Sequence, residues 1–540
     1  MTLNLQGKTF AGQSSIPKLP IPPLEETCSR YLRALEGLQD PLEHERSKAA
    51  VEEFLKGEGP RLQEKLKAYA ADKASYIEEF WYESYLSHSD PVVLALNPFF
   101  VLEDDPTPSR GSQVSRAARL VSSSLAFVHD LRNGLLDPDS VRGQPLDMHQ
   151  YTQLFGTARI PTSRGCRMAI NHDSRHIIVL RRGQFYYFDV LDSKNRPILN
   201  EREITKNLEA IIADADKTPD LDVAKGALAV LSTESRKHWS HLRHQIAAES
   251  KDNESCLQIV DDALFVVCLD VASPETPAEV CANFLCGTYE LKDGIQVGSC
   301  TNRWYDKLQI IVSGNGTTGI NFEHTGVDGH TVLRYAADVF TEGLMSMARS
   351  INPAAPTIFK AKLSPHAASY RRKPGEVLNE PREVVDTSPK KLEWKLTSEI
   401  RTAIRFAETR LSDLICQNEC EVLEFKGYGK NFITKYGFSP DAFVQMAFQA
   451  GYYGLYGHIE CTYEPAMTKG FFHGRTEAIR TVQPPSVAFT KTFYSDQSNQ
   501  EKIDALRKAC EHHVKITREC AKGLGQDRFT PLRTLLPLPA

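Results

Sequence analysis

The chain has no apolar run near the roughly 18 residues that a transmembrane helix needs, so no segment is expected to span a membrane. No charge of one sign dominates. Sixty-four basic and 69 acidic residues leave a net charge of −5, which gives no footprint for nucleic acid or an anionic membrane surface. The 12 cysteines are scattered, without CxxC spacing. The nearest pairs, Cys281/Cys286 and Cys416/Cys420, lack a second pair that would complete a zinc site. They read as reduced thiols in a reducing compartment. Met1 to Leu24 has neither arginine nor an apolar core, which makes a poor transit or signal peptide. The closing Leu-Pro-Leu-Pro-Ala is no peroxisomal address. The cytoplasm is the expected location, with mitochondrial or peroxisomal association left open. There is no internal repeat and no low-complexity tract.

What is present is ordinary for a globular protein, with 41% hydrophobic and 25% charged residues. At 540 residues the chain exceeds what one core organises, so two domains are expected. Ile16 to Pro23 is a proline-stiffened extended arm. Apolar spacing predicts helices over 24–38, 42–56, 60–71 and 75–85, and a long one over 113–136. A hairpin of 177–180 and 184–190 turns at Arg181-Arg182-Gly183. Helices are expected over 201–214 and 223–231, a buried strand over 262–269, and a strand over 421–425. Pro353 to Lys391 reads as a crossing between domains. Thr397 opens a helix through Leu411. Ser439-Pro440-Asp441 opens another, with cap, first-turn proline and an acid facing the dipole, running to Tyr456. The last long helix covers 500–522. His238, His241 and His244 recur every third residue. With no carboxylate or supporting partner in the pattern, a solvated helix face is favoured over a metal site.

The stretch Lys307 to Thr331 carries the chemistry. Leu308, Ile310 and Val312 alternate as a buried strand, Asn315-Gly316 signals a hairpin, and Ile320 and Phe322 resume the alternation. His324 falls at the strand end, where Gly326 and Gly329 let the chain turn. A histidine there suits proton transfer, because the ordinary imidazole pKa of about 6.5 lies near working pH. The same stretch contains Gly314-Asn315-Gly316-Thr317-Thr318-Gly319, a G-x-G-x-x-G pattern. It signals a dinucleotide site only when a helix follows. Here a strand follows, so that reading is rejected.

His324-Thr-Gly-Val-Asp-Gly329 is an HxxxDG motif, and it resembles the signature of acyltransferases built on the chloramphenicol acetyltransferase fold. Asn302-Arg-Trp-Tyr-Asp-Lys307, Asn321-Phe-Glu-His324, the IPKLPIPP opening and Tyr151 to Pro161 resemble the carnitine/choline acyltransferase family more narrowly. The likeness runs from Ile16 to about Leu536. It implies an α/β fold of two chloramphenicol acetyltransferase-like domains. Each would be a mixed sheet packed with helices, with the active-site channel between them. Residues 92–380 would form the domain with the catalytic histidine. Residues 1–91 plus 381–540 would form the domain for CoA and the carnitine carboxylate.

The resemblance further implies reversible transfer of a short-chain acyl group between CoA and the 3-hydroxyl of carnitine, a reaction of fatty acid metabolism. His324 would act as general base in a ternary complex, with no acyl-enzyme. Neither the alcohol nor the thiol ionises much at neutral pH, so a positioned base is required. Asp328 would hold the histidine loop by pairing with Arg303. Tyr463, Thr476 and Arg528 would bind the carnitine carboxylate, which a guanidinium fork suits. Choline has no carboxylate, so carnitine is favoured. Lys430, Lys435 and Asp441 would serve CoA. The second lysine departs from the family by one residue, with Thr434 at the family position, and Pro465 stands where the family often has serine. No metal and no permanently bound cofactor is implied. CoA or acyl-CoA would be a co-substrate, carnitine the other partner, and the protein a monomer. Family members continue beyond Arg528 with a Ser-Thr-Ser segment and further strands that nothing before Ala540 matches. Impaired turnover and an exposed apolar face in the second domain are therefore expected. A non-catalytic paralogue that binds CoA, carnitine or a protein partner is the alternative.

Overall fold

A computed structural model describes residues 3–106, 111–372 and 380–529. The Leu-Pro-rich end of the chain lies outside them. Two compact units divide the chain. The first takes 1–12, 82–138 and 148–422; the second takes 13–81, 139–147 and 423–540.

The first unit is built on a mixed seven-stranded sheet. In chain order its strands are β1 (Phe99–Val101), β2 (His176–Arg181), β3 (Gln184–Asp189), β4 (Val266–Leu269), β5 (Gln309–Val312), β6 (Thr318–Asn321) and β7 (Lys390–Lys391). They lie side by side as β1-β6-β5-β4-β2-β3-β7. The pairs β5/β4 and β4/β2 are parallel and the other four antiparallel. Strand alternation sorts side chains onto two cores. Ile177, Val179, Val267, Ile310 and Val312 face Leu125, Phe127 and Val128 of helix α1 (Gln113–Arg132). Ile178, Leu180, Val266, Cys268 and Ile311 face the opposite way. That second core includes Trp239 and Leu242 of α2 (Arg236–Glu249), Val260 of α3 (Lys251–Asp262), and Ile400, Ile404 and Leu411 of α5 (Ser398–Gln417). Between α3 and α5 in the chain, α4 (Gly329–Ile351) follows the histidine loop.

Two expectations change here. Residues 353–391 are no domain crossing. Ser364 Oγ donates to Asp192 at 2.6 Å, Glu380 pairs with Arg196 at 2.8 Å, and β7 adds to the sheet. The chain leaves the first unit only after Val422, because α5 buries its apolar face there. The division differs accordingly from 92–380 against 1–91 plus 381–540. The stretch 262–269 is also split. Asp262 ends α3, and the strand begins at Val266.

The second unit contains helices Leu24–Glu36, Pro41–Lys56 and Gly59–Ala70, then α6 (Lys430–Lys435), α7 (Pro440–Tyr456), α8 (Pro484–Phe493) and α9 (Asn499–Ala521). Its strands, among the described residues, form two antiparallel pairs, Glu464–Met467 with Thr476–Ile479 and the short Ser140–Val141 with Gln144–Pro145. The strand expected over 421–425 is irregular backbone. Ala442, Met446 and Ala450 of α7 pack against Ala509 and Cys510 of α9. The opposite face of α7 carries Val444, Phe448 (62% exposed) and Leu455 (80% exposed). A continuous apolar stripe of that kind is unusual on a protein surface.

The C-terminal end of the central strand β4 is fixed by a buried ion pair. Arg303 Nη1 and Nη2 donate to Asp270 Oδ1 and Oδ2 at 2.7 and 2.8 Å, with both side chains fully buried. Arg303→Met would leave the Asp270 charge buried and uncompensated, so urea unfolding should show a loss of about 3–5 kcal/mol. A loss below about 1 kcal/mol would show that the pair does not hold this end of the sheet.

Candidate functional site

β5 and β6 are joined through Ser313 to Thr317, where Gly316 takes φ +85° and Asn315 Nδ2 donates to Pro274 O at 2.7 Å. β6 ends at Asn321, and His324 follows on the loop that enters α4. His324 Nδ1 lies 2.7 Å from Val327 O. A carbonyl only accepts, so Nδ1 holds the proton of the neutral ring and Nε2 is the basic nitrogen. Phe322 and Tyr85 meet the imidazole edge-on, with centroids 5.8 and 5.7 Å away.

The loop is pinned on both sides of the histidine. Glu323 accepts from Thr325 Oγ1 at 2.6 Å and Thr325 N at 3.0 Å, and pairs with Arg159 at 3.0 Å. Gln150 donates to Asp328 Oδ2 at 2.9 Å and accepts from Asp328 N and Thr331 Oγ1, both at 2.8 Å. A Cβ on Gly326 would sit 2.5 Å from Gln153 Oε1, so a larger residue here would displace the end of the Gln153 side chain. Asp328 Oδ1 is 3.8 Å from His324 Nδ1.

The expected pairing of Asp328 with Arg303 does not form. The Arg303 fork is spent on Asp270, and Asp328 is held by Gln150 instead. Motif reading missed Arg159 and Gln150. Arg159 lies within the Tyr151 to Pro161 segment already noted, but nothing in that segment says what the arginine touches.

In the second unit the three residues expected around a carboxylate come together. Arg528 Nη2 donates to Tyr463 Oη at 3.1 Å and Thr476 Oγ1 at 3.2 Å, and Nε donates to Thr476 O at 3.1 Å. Thr476 opens its strand opposite Met467, which brings it back towards the chain after Tyr463. The Arg528 guanidinium also lies over Trp81, 4.5 Å from the ring centroid, with Arg475 4.8 Å from the same centroid. Trp81 and Arg475 were not foreseen. Trp81 stands almost 450 positions before Arg528 in the chain, too far for any local pattern to link them. Burial pushes the neighbouring Glu477 carboxyl up to about 7.

Lys430 and Lys435 open and close α6, and both are exposed. Thr434 Oγ1 donates to Lys430 O at 2.9 Å, so those two share a face, while Lys435 lies about 100° further round. Asp441, on the first turn of α7, meets His513 Nε2 at 3.5 Å, and Glu464 meets the same nitrogen at 3.3 Å. Burial and the Glu464 charge raise Asp441, and the contact with His513 holds Glu464 down. His238, His241 and His244 are exposed on α2.

The family model for choline/carnitine O-acyltransferases matches residues 19–531, and the chain belongs to that family. It is 42% identical to a Saccharomyces cerevisiae protein named "Putative mitochondrial carnitine O-acetyltransferase", over 95% of this chain and 79% of that one. Human mitochondrial carnitine O-palmitoyltransferase 2 is 31% identical over 96% of this chain and 78% of its own length. The carnitine O-acetyltransferase of Columba livia is 30% identical over 97% and 79%.

The raised Glu477 gives a pH signature. In the folded protein its carboxyl keeps its proton up to about 7, whereas unfolded glutamate ionises near about 4.3. Between those values the unfolded chain binds fewer protons, so stability falls as pH rises. Gln retains an oxygen for the Ala478 N–H, which bonds Glu477 Oε1 at 2.9 Å. In urea unfolding, Glu477→Gln should match the parent's unfolding free energy near pH 4.5 and exceed it by up to roughly 3 kcal/mol above pH 7. A difference constant with pH would contradict this.

Proposed function

We propose that the protein transfers a short-chain acyl group reversibly between CoA and the 3-hydroxyl of carnitine, with His324 as general base. In one direction Nε2 takes the hydroxyl proton as the oxygen attacks the thioester carbonyl. The tetrahedral intermediate then expels the CoA sulfur, which receives that proton from the imidazolium. In the other direction the thiol proton goes to Nε2 and the ester is attacked. No bond to the protein forms, so the histidine contributes through position and tautomer. The Val327 carbonyl keeps Nδ1 protonated, which leaves Nε2 the only nitrogen able to act.

The observation that carries the reading is the convergence of Tyr463, Thr476 and Arg528. Two hydroxyls gathered on one guanidinium suit a carboxylate, which carnitine has and choline lacks. The acetyltransferase names of two relatives support a short acyl chain. Asp328 acts through the loop, since Gln150 and the α4 entry hold it. Lys430 and Lys435 are assigned to CoA phosphates and Asp441 to the CoA chain. Initial rates with acetyl-CoA and palmitoyl-CoA, each with carnitine and with choline, test the whole assignment. Palmitoyl preference or equal use of choline would overturn it.

His324→Ala should lower turnover by about 10²–10⁴-fold while carnitine and CoA still bind. Residual activity within a few-fold of the parent would remove His324 from the base role.

Arg528→Asn should raise the Michaelis constant for carnitine about 10- to 100-fold with a smaller effect on turnover. A charge-assisted bond is worth roughly 1.5–3 kcal/mol and is made in ground and transition states alike. Equal losses with carnitine and choline would assign Arg528 to folding.

A further inference from the structure

A cleft in the first unit lies away from the histidine loop, on the outer side of α2 and α3. It has a volume of about 660 Å³ and is walled by the hairpin of Thr157–Thr162 and Gly165–Ile170 on one side and by α2 and α3 on the other. Its charged lining is three arginine or lysine cations and two histidines against two carboxylates. Arg167, Lys237, His241, Arg243 and His244 face it, against Glu254 and Asp261. Asp261 is consumed by Arg243 Nη2 at 2.5 Å. Arg167, Lys237, His241 and His244 are exposed, and none makes an ion pair among the described residues. Arg243 adds a second feature. It is anchored over Trp239 at 5.4 Å and its Nη1 is buried without an acceptor. A buried guanidinium nitrogen without a partner costs stability unless a ligand supplies the oxygen.

The histidines are not gathered for a metal, since no third ligand joins His241 and His244 among the described residues. The donor set suits an oxyanion instead. Thr162, Ser163 and Ser240 place hydroxyls among the cations. A phosphate offers two charges and several acceptor oxygens to such a ring of donors, and the cleft has the size of a small-molecule site. We propose that this cleft binds a phosphate group, with Arg243 as the fixed donor and Arg167, Lys237, His241 and His244 closing around it. The inference does not rest on the proposed acyl transfer.

The test is titration calorimetry of the full chain with inorganic pyrophosphate at low salt. In parallel, co-sedimentation uses phosphatidylcholine vesicles with and without phosphatidylglycerol. Pyrophosphate binding points to a soluble phosphorylated ligand; binding only to phosphatidylglycerol vesicles points to a lipid headgroup. Either supports the site if Arg167→Glu with Lys237→Glu weakens it about tenfold or more. His241→Gln with His244→Gln should weaken it about three- to tenfold. Lys491→Glu, a charge change on α8, should leave it unaltered. The mutated side chains are exposed, and an unchanged thermal melt verifies folding. Binding to neither probe overturns the proposal. So does binding indifferent to the Arg167 and Lys237 changes, or binding lost only with Lys430→Glu and Lys435→Glu.

Discussion

The first unit depends on one buried charge pair. Asp270, just past β4, accepts from both arms of Arg303 and also from Asn302 Nδ2 and Asn283 Nδ2, at 3.0 and 3.1 Å. Taking a carboxylate and a guanidinium out of water is costly, and only a full set of hydrogen bonds makes it tolerable. That requirement fixes geometry. The Asn302 side chain also accepts from Gly183 N in the β2–β3 turn, and Asn283 Nδ2 reaches Ser313 Oγ beside the β5–β6 turn. One ion pair therefore sets the register between three connections of the sheet.

The same segment continues the scaffold. Asp306 accepts from Arg236 at 2.5 Å and from Trp239 Nε1 at 2.7 Å, which ties α2 to the strand entry. Lys307 Nζ donates to Thr157 O and Asp261 O at 2.9 and 2.6 Å, and burial pushes it down to about 7. The residues from Asn302 to Lys307, which carried much of the family likeness, act here as a fold brace. β5 and β6 then deliver His324 at the end of their hairpin opposite the turn. Glu323 and Asp328 hold the loop so that the imidazole is oriented by a backbone carbonyl rather than by a carboxylate. The carbonyl fixes the tautomer, and the Asp328 carboxylate stands 3.8 Å from the same nitrogen, beyond hydrogen-bond distance.

In the second unit, position comes from pairing and stacking. Thr476 and Tyr463 are brought to Arg528 by the two-stranded ladder and the turn after α9. Trp81 supplies an aromatic floor for the guanidinium. This is a preorganised donor arrangement, and its members lie far apart in the chain.

Period-2 alternation and the Asn315-Gly316 turn were enough to read β5, β6 and the strand-end place of His324, because both signals act over a few residues. Helix caps placed the start of α7 at Ser439-Pro440-Asp441, and the same local chemistry is seen there, with Ser439 accepting from Ala442 N. Family words named Tyr463, Thr476 and Arg528. Three things were settled only by the tertiary structure. Asp328 is held by Gln150 and Arg303 by Asp270, because a partner for a charge is chosen by burial and distance across the fold. Residues 353–422 belong with the first unit, because the apolar face of α5 finds its core there despite the proline-rich stretch before it. The basic cleft beside α2 could not be foreseen from a histidine every third residue. Its cations come from a hairpin and a helix about 70 positions apart, and only packing makes them neighbours.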